Sequence, residues 1–119
     1  MGVAYYGAYL DWFSLGRSDW LREAGIPYRA RFELRGIALP VTEVRCRYRR
    51  SLLCDEQTVI ETALTDCTPV RLRFAYRVGD AAEGETWHAV VDATRRPCDL
   101  RKRDPELWEA LHHAYRDRL

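Results

Sequence analysis

One long amphipathic helix at the start of the chain is the feature that most constrains the fold. Residues 3–24 place apolar side chains at three- and four-residue steps, which predicts a buried stripe of Val3, Tyr6, Leu10, Phe13 and Trp20. Gly7 and Gly16 each cost such a helix about 1 kcal/mol relative to alanine. That cost is tolerable where another element packs very close to the helix backbone. Gly25 and Pro27 then predict the end of the helix.

After a connecting stretch, the periodicity changes to two. Residues 44–50, 55–65, 70–78 and 85–94 alternate apolar and polar side chains, as half-buried antiparallel strands do. In residues 70–78 the alternation predicts that Leu72, Phe74 and Tyr76 face the helix, and that Arg71 and Arg73 face away. The arginines of the strands are interpreted as a solvated face paired with Glu43 or Glu61. We therefore expect one antiparallel sheet packed on the helix.

Turn and cap signals separate these elements. Gly79-Asp80 and Gly84 predict the two ends of a hairpin turn. Asp104 followed by Pro105 is typical of the start of a helix, and predicts a short C-terminal helix over residues 106–115.

Composition limits the class of protein. With 119 residues the chain is long enough for one domain, residues 1–119, and its net charge of +1 gives no global reason to expect nucleic acid or a membrane as partner. The four cysteines lack C-x-x-C spacing and the three histidines add no ligand pattern, so no metal site is expected. No signal peptide or membrane-spanning stretch is visible, which favours a cytoplasmic protein with reduced thiols. Lys102 is the only lysine among nineteen basic residues; a GC-rich genome explains this bias, and arginine forks also suit phosphates.

A family resemblance rests on the helix start. Residues 2–13 read Gly-Val-x-Tyr-Tyr-x-x-Tyr-Leu-x-Trp-Phe, and residues 16–23 read Gly-Arg-Ser-x-Trp-Leu-Arg-Glu. This closely resembles the motif of hotdog-fold acyl-CoA thioesterases, the 4-hydroxybenzoyl-CoA thioesterase-like group. The resemblance implies an α+β hotdog fold: a long central helix wrapped by an antiparallel sheet, with four strands here, the first family strand missing, and a short C-terminal helix. It also implies an acyl-CoA substrate, a homodimer or homotetramer, and no cofactor, because coenzyme A is part of the substrate.

The resemblance further implies roles for individual residues. The backbone N–H of Tyr6 would bind the oxyanion, and Asp11 is the fallback carboxylate, although a solvated or interfacial charge is the favoured interpretation of Asp11. The family's catalytic Asp would lie two positions before Met1, so we expect the chain as written to hydrolyse acyl-CoA poorly or not at all. The residues expected to bind substrate are Gly2, Val3, Tyr5, Arg95 and Arg96.

Two other residues resemble family positions, and for both a structural interpretation is favoured. Asp55 matches an Asp that usually shapes a turn. His88, in Gly84-x-Thr86-x-His88, is interpreted as a buried strand histidine with satisfied hydrogen bonds rather than as a catalytic one. The leading function is hydrolysis of a coenzyme A thioester to free acid and thiol. The alternatives are a catalytically silent hotdog domain that binds acyl-CoA or serves as an assembly unit, and a dehydratase-like enzyme, which is disfavoured because the helix start contains no histidine.

Overall fold

A long helix and a four-stranded sheet form the main body of the protein. In this computed structural model, residues 7–52 and 56–117 are described. The helices are α1 Gly7–Glu23, α2 Tyr28–Arg31, α3 Leu100–Arg103 and α4 Pro105–Asp117, with a 3-10 turn at Glu33–Arg35. The strands are β1 Ile37–Ala38, β2 Val41–Tyr48, β3 Ile60–Cys67, β4 Arg71–Val78, β5 Ala82–Ala89 and β6 Val91–Asp92. The predicted α+β architecture is confirmed.

The sheet is antiparallel throughout, with strand order β2–β5–β4–β3, while β1 and β6 pair separately. Helix α1 crosses the inner face of this sheet. The Phe13 ring stacks on Tyr76 at 4.3 Å between centroids, and Trp20 meets Phe74 edge-on at 5.8 Å. Arg71 lies on the opposite, outer face and is exposed. The predicted register of β4 is confirmed, because a one-residue slip would exchange its two faces.

Two glycines allow the helix and the sheet to approach closely. A Cβ built on Gly16 would overlap the hydroxyl of Thr62 on β3. A Cβ on Gly84 would lie 2.7 Å from the Phe13 ring and 2.6 Å from the carbonyl oxygen of Arg45. The predicted role of Gly84 at a hairpin turn is therefore wrong: it lies within β5 and is needed for packing. The turn itself is shorter and begins at Gly79, with φ 51°.

Parts of the predicted apolar stripes remain exposed. Leu10 is 44% exposed, and Tyr9, at 1%, takes its place in the buried stripe of α1. Val44 and Tyr48 of β2 are 40% and 42% exposed. The alternation predicted the faces of β2, but β2 is an edge strand and α1 packs mainly on β3 and β4. The expectation that β2 is half-buried is wrong for this reason.

Several boundaries also differ from the predicted ones. The strand expected at residues 55–65 begins at Ile60, and the strand expected at residues 85–94 ends at Ala89. The chain then forms β6, which pairs with β1; strands of two residues are too short for an alternating pattern. The start of α4 is as predicted, because the Asp104 carboxylate accepts a hydrogen bond from the Leu107 N–H at 3.1 Å.

Two further observations concern membrane-spanning helices and cysteines. Within residues 7–52 and 56–117, no helix has the length and apolar character needed to cross a membrane. Cys46, Cys67 and Cys98 are free thiols, whereas Cys54 and Asp55 lie outside the described residues.

Candidate active site

A cavity of about 220 Å³ lies between α1, α2 and the sheet. Its helix wall is formed at three- and four-residue steps, which places those side chains on one face of α1. The lining residues are Ser14, Arg17, Ser18, Leu21, Tyr28, Leu39, Phe74 and His88. The cavity thus combines apolar walls with a few hydroxyls, one guanidinium and one imidazole, a mixture typical of small-molecule sites.

A buried histidine forms part of the sheet wall. Alternation along β5 points Thr86 and His88 towards α1, where they are 1% and 2% exposed. Burial lowers the pKa of His88 to about 4; the hydrogen bond to the Leu39 carbonyl opposes this shift, and the positive charge of Arg17 reinforces it. His88 is therefore uncharged at neutral pH.

Hydrogen bonds connect His88 to the helix through two buried side chains. His88 Nδ1 lies 2.9 Å from the carbonyl oxygen of Leu39, and Nε2 lies 2.8 Å from Thr86 Oγ1. Thr86 Oγ1 lies 2.6 Å from the hydroxyl of Tyr76, which accepts a hydrogen bond from Arg17 Nη1 at 3.1 Å. Burial also raises the pKa of Tyr76 above its usual value, so its hydroxyl keeps its proton. The favoured interpretation of His88, a satisfied strand histidine, is confirmed, and its ring also lines the cavity.

The residues predicted for the site are only partly brought together. Gly2, Val3, Tyr5 and Tyr6 lie outside the described residues. Asp11 is exposed on α1, one helical turn before Ser14, and is not among the residues that line the cavity. Among the described residues that line the cavity, none is a carboxylate.

The two arginines predicted to bind substrate lie in a tight turn after β6. Arg95 and Arg96 are both exposed, and Arg95 has a positive φ of 66°. The Asp92 carboxylate stabilises this turn by accepting hydrogen bonds from the backbone N–H groups of Thr94 at 2.8 Å and Arg96 at 3.0 Å. The turn presents two adjacent cations to solvent.

A larger depression, of about 910 Å³, lies along the rows of charged residues on strands β2 to β5. Several of its charges have partners: Glu83 lies 2.6 Å from Arg49 and 3.7 Å from Arg47, and Arg45 lies 3.4 Å from Glu43. Exposed ion pairs of this kind are typical of a solvated face. The expected pairing with Glu43 is confirmed. We place the candidate site at the smaller cavity, which is lined by the buried His88 and the half-buried Arg17.

The contributions of Arg17, Ser18, Tyr76 and Thr86 were not predicted from the sequence. A signal for two of them was present, since Thr86 and His88 are polar residues two positions apart on an otherwise buried strand face. Two polar residues on a buried face require partners, and Tyr76 on the neighbouring strand is one such partner.

Comparison with known proteins gives the family. The profile of the thioesterase-like superfamily matches residues 1–114. A Bacillus subtilis protein named "Putative acyl-CoA thioesterase YneP" is 27% identical over 120 residues, covering 96% of this chain and 86% of that protein. The structure of a DHNA-CoA thioesterase from Staphylococcus aureus is similar with a TM-score of 0.88 and 28% identity, covering 95% of this chain and 79% of that one. A hypothetical protein from Thermus thermophilus is similar with a TM-score of 0.86 and 30% identity, covering 96% and 88%.

These matches extend over the helix, the sheet and the cavity between them, and the architecture is the hotdog fold that the helix-start motif implied. Because the family profile spans almost the whole sequence, the chain belongs to the thioesterase-like superfamily.

Proposed function

We propose that the protein is an acyl-CoA thioesterase, which hydrolyses a coenzyme A thioester to a free acid and coenzyme A. The observation that supports this most is the cavity between α1 and the sheet, in a chain of the thioesterase-like superfamily. Phe74 and Leu21 provide an apolar surface for an acyl group, and Ser14 and Ser18 provide hydroxyls at its mouth. A relative named as a putative acyl-CoA thioesterase and a similar structure named as a DHNA-CoA thioesterase favour the same substrate class.

Hydrolysis of a thioester needs an activated water or a nucleophile, which a carboxylate can supply, and an oxyanion donor. In this proposal the backbone N–H of Tyr6 stabilises the oxyanion, while Gly2, Val3 and Tyr5 border the thioester. Asp11 activates water or attacks the carbonyl carbon, since it lies one turn from Ser14, which lines the cavity. Arg95 and Arg96 are proposed to contact the phosphates of coenzyme A, because arginine forks match phosphate geometry. No cofactor or metal is part of this mechanism.

Release of free thiol from a panel of acyl- and aryl-CoA esters tests the proposal. We expect slow turnover by the 119-residue chain. Asp11→Asn should reduce that turnover by about 10²–10⁴-fold, the usual cost of losing a general base. Asp19→Asn is the matched control, because Asp19 lies on the same helix and pairs with the exposed Arg22 at 2.6 Å. Full activity of Asp11→Asn would exclude Asp11 as the carboxylate.

The alternative function is a silent hotdog domain that binds acyl-CoA without hydrolysing it, or that serves as an assembly unit. The absence of a carboxylate among the described residues lining the cavity favours this alternative. Binding of acyl-CoA by calorimetry without thiol release from any ester would support the silent domain and contradict the thioesterase.

We also propose that the protein is a single cytoplasmic domain that forms homodimers or homotetramers. Strand β2 is an edge of the sheet, and its Val41, Val44 and Tyr48 are 40–47% exposed. Leu10 of α1 is similarly exposed at 44%. An exposed strand edge with apolar side chains is a surface that a second copy can cover. A mass of 13.9 kDa in solution at micromolar concentration, measured by light scattering, would contradict the oligomer.

A further inference from the structure

The hydrogen bonds between Leu39 and Arg17 form one continuous relay through the interior. The relay runs from the Leu39 carbonyl through His88, Thr86 and Tyr76 to the guanidinium of Arg17, with distances of 2.9, 2.8, 2.6 and 3.1 Å. Its three middle side chains are each no more than 3% exposed. Water therefore does not replace the bonds of Thr86 to His88 and to Tyr76, and these groups have to be satisfied within the relay.

The hydrogen-bonding chemistry at the two ends of the relay determines which atom donates in each of its hydrogen bonds. The Leu39 carbonyl only accepts, so the proton of the neutral His88 lies on Nδ1 and Nε2 is an acceptor. Thr86 therefore donates to His88. At the other end the guanidinium of Arg17 only donates. Tyr76 accepts from Arg17 and donates to Thr86, so each hydroxyl donates once and accepts once.

Protonation of His88 is incompatible with this order. A proton on Nε2 would turn that atom into a donor towards Thr86, and the only acceptor then left within the relay for the Thr86 hydroxyl is Tyr76. The Tyr76 O–H would in turn face Arg17, which accepts nothing. The charged group that faces the relay from α1 is Arg17, and its positive charge also opposes the imidazolium. From α2, Tyr28 is the titratable group on this side, and its hydroxyl accepts from the Leu39 N–H at 3.4 Å.

We propose that His88 is a positioning residue which, through Thr86 and Tyr76, holds the Arg17 guanidinium against the wall of the cavity, and that protonation of His88 releases it. The bond to Tyr76 uses one of the five N–H donors of Arg17. The remaining donors of this half-buried side chain are available to a polar group in the cavity that Arg17 lines. The consequence for catalysis rests on the proposed thioesterase function, whereas the consequence for Arg17 does not.

Nuclear magnetic resonance tests the relay without any substrate. Nitrogen-15 spectra of the histidine rings should show His88 as the neutral Nδ1–H tautomer at neutral pH, with His88→Gln identifying its signals. Relaxation of the Arg17 Nε–H should show an ordered side chain at pH 7, and a mobile one at about pH 4 and in Tyr76→Phe at neutral pH. Circular dichroism at each pH verifies that the fold persists. An Nε2–H tautomer, or an equally ordered Arg17 in Tyr76→Phe, would overturn the proposal.

Kinetics with benzoyl-CoA then test the consequence for substrate. In the wild type the KM should rise as the pH falls from about 7 to about 4. Tyr76→Phe should raise the KM at neutral pH by about tenfold with little change in kcat, and should add nothing in an Arg17→Ala background. Arg22→Ala is the matched control, because Arg22 lies on the same helix but is exposed. Additive effects of Tyr76→Phe and Arg17→Ala would contradict the coupling. Absence of thiol release from every ester would refute the thioesterase while the spectra still decide the relay.

Discussion

The two faces of the four-stranded sheet place polar side chains in opposite environments, although strands β4 and β5 supply both. On the inner face, Tyr76, Thr86 and His88 are buried and bonded in series. On the outer face, Glu83 has two arginine partners, yet its side chain is 40% exposed. The alternation of side chains along one strand thus places a buried hydrogen-bond network on one face of the sheet and solvent-exposed ion pairs on the other.

This difference indicates which contacts contribute most to the stability of the protein. A buried polar group that loses its partner pays the full cost of having left water, about 1–3 kcal/mol. An exposed charge that loses its partner is solvated again, so a surface pair contributes about 0–1 kcal/mol. We therefore expect the inner face to be sensitive to single-atom changes and the outer face to tolerate them.

The largest effect is expected from filling the space between α1 and the inner face. Gly84→Val should reduce the free energy of unfolding by about 3 kcal/mol, because its side chain would overlap the Phe13 ring and the Arg45 carbonyl. Ala63→Val is the matched control on the outer face, where the alanine is exposed. Urea unfolding measures both, and equal stability of the two variants would show that the close approach is absent in solution.

The next effect comes from removing one hydroxyl of the relay. Thr86→Val keeps the shape but leaves His88 Nε2 and the Tyr76 hydroxyl without their partner, which should cost about 2 kcal/mol. Thr42→Val removes a comparable strand hydroxyl that donates to the Trp87 carbonyl, but on an exposed residue. Its expected cost is about 0.5 kcal/mol or less, since water replaces the bond. A neutral Thr86→Val would contradict the satisfied relay.

Acidification should lower the free energy of unfolding through the protonation of His88 on the inner face. The folded pKa is about 4, below the value near 6.5 of an unfolded chain. Between these two pKa values the unfolded state therefore binds a proton more readily than the folded state does. The contribution of the neutral His88 to the free energy of unfolding, which is present above about pH 6.5, is lost as the pH falls towards 4. Between pH 7 and pH 5 we expect the wild type to lose about 2 kcal/mol more than His88→Gln. Parallel pH curves for the two proteins, from urea unfolding, would refute this.

The smallest effect is expected on the outer face. Glu83→Gln removes the charge that pairs with Arg49 and Arg47, and should change the free energy of unfolding by about 0.5 kcal/mol. The effect should shrink further in high salt, because exposed pairs are screened. A loss comparable to that of Thr86→Val would erase the difference between the two faces.

Much of the fold was predictable because it follows from local periodicity. The two-residue alternation of residues 70–78 predicted which side chains of β4 meet α1, and Asp104 with Pro105 predicted the start of α4. The solvent exposure of β2 was not predictable in this way. Alternation gives the two faces of a strand, but the exposure of Val44 depends on which strands the helix covers, and that is a property of the assembled sheet.

The candidate site was less predictable, because its parts come from separate elements. His88 was singled out, and its bonds were expected to be satisfied, but the partners could not be named. Arg17 and Tyr76 lie 59 residues apart and meet only when α1 packs on the sheet. Gly84 was predicted at a turn for a similar reason. Glycine is a local turn signal, whereas here a side chain at position 84 is excluded by the Phe13 ring, which comes from α1.

The central claim is that the acyl group of a coenzyme A thioester binds in the cavity beside His88, and filling that cavity tests it most directly. Ser18 lines the cavity and is exposed at its mouth, so Ser18→Phe should occupy the space with little effect on stability. Ser51→Phe, at an exposed loop position, is the control. We expect Ser18→Phe to release thiol from benzoyl-CoA about 100-fold more slowly than the wild type, and Ser51→Phe to match the wild type. Equal rates of thiol release for all three proteins would contradict the central claim.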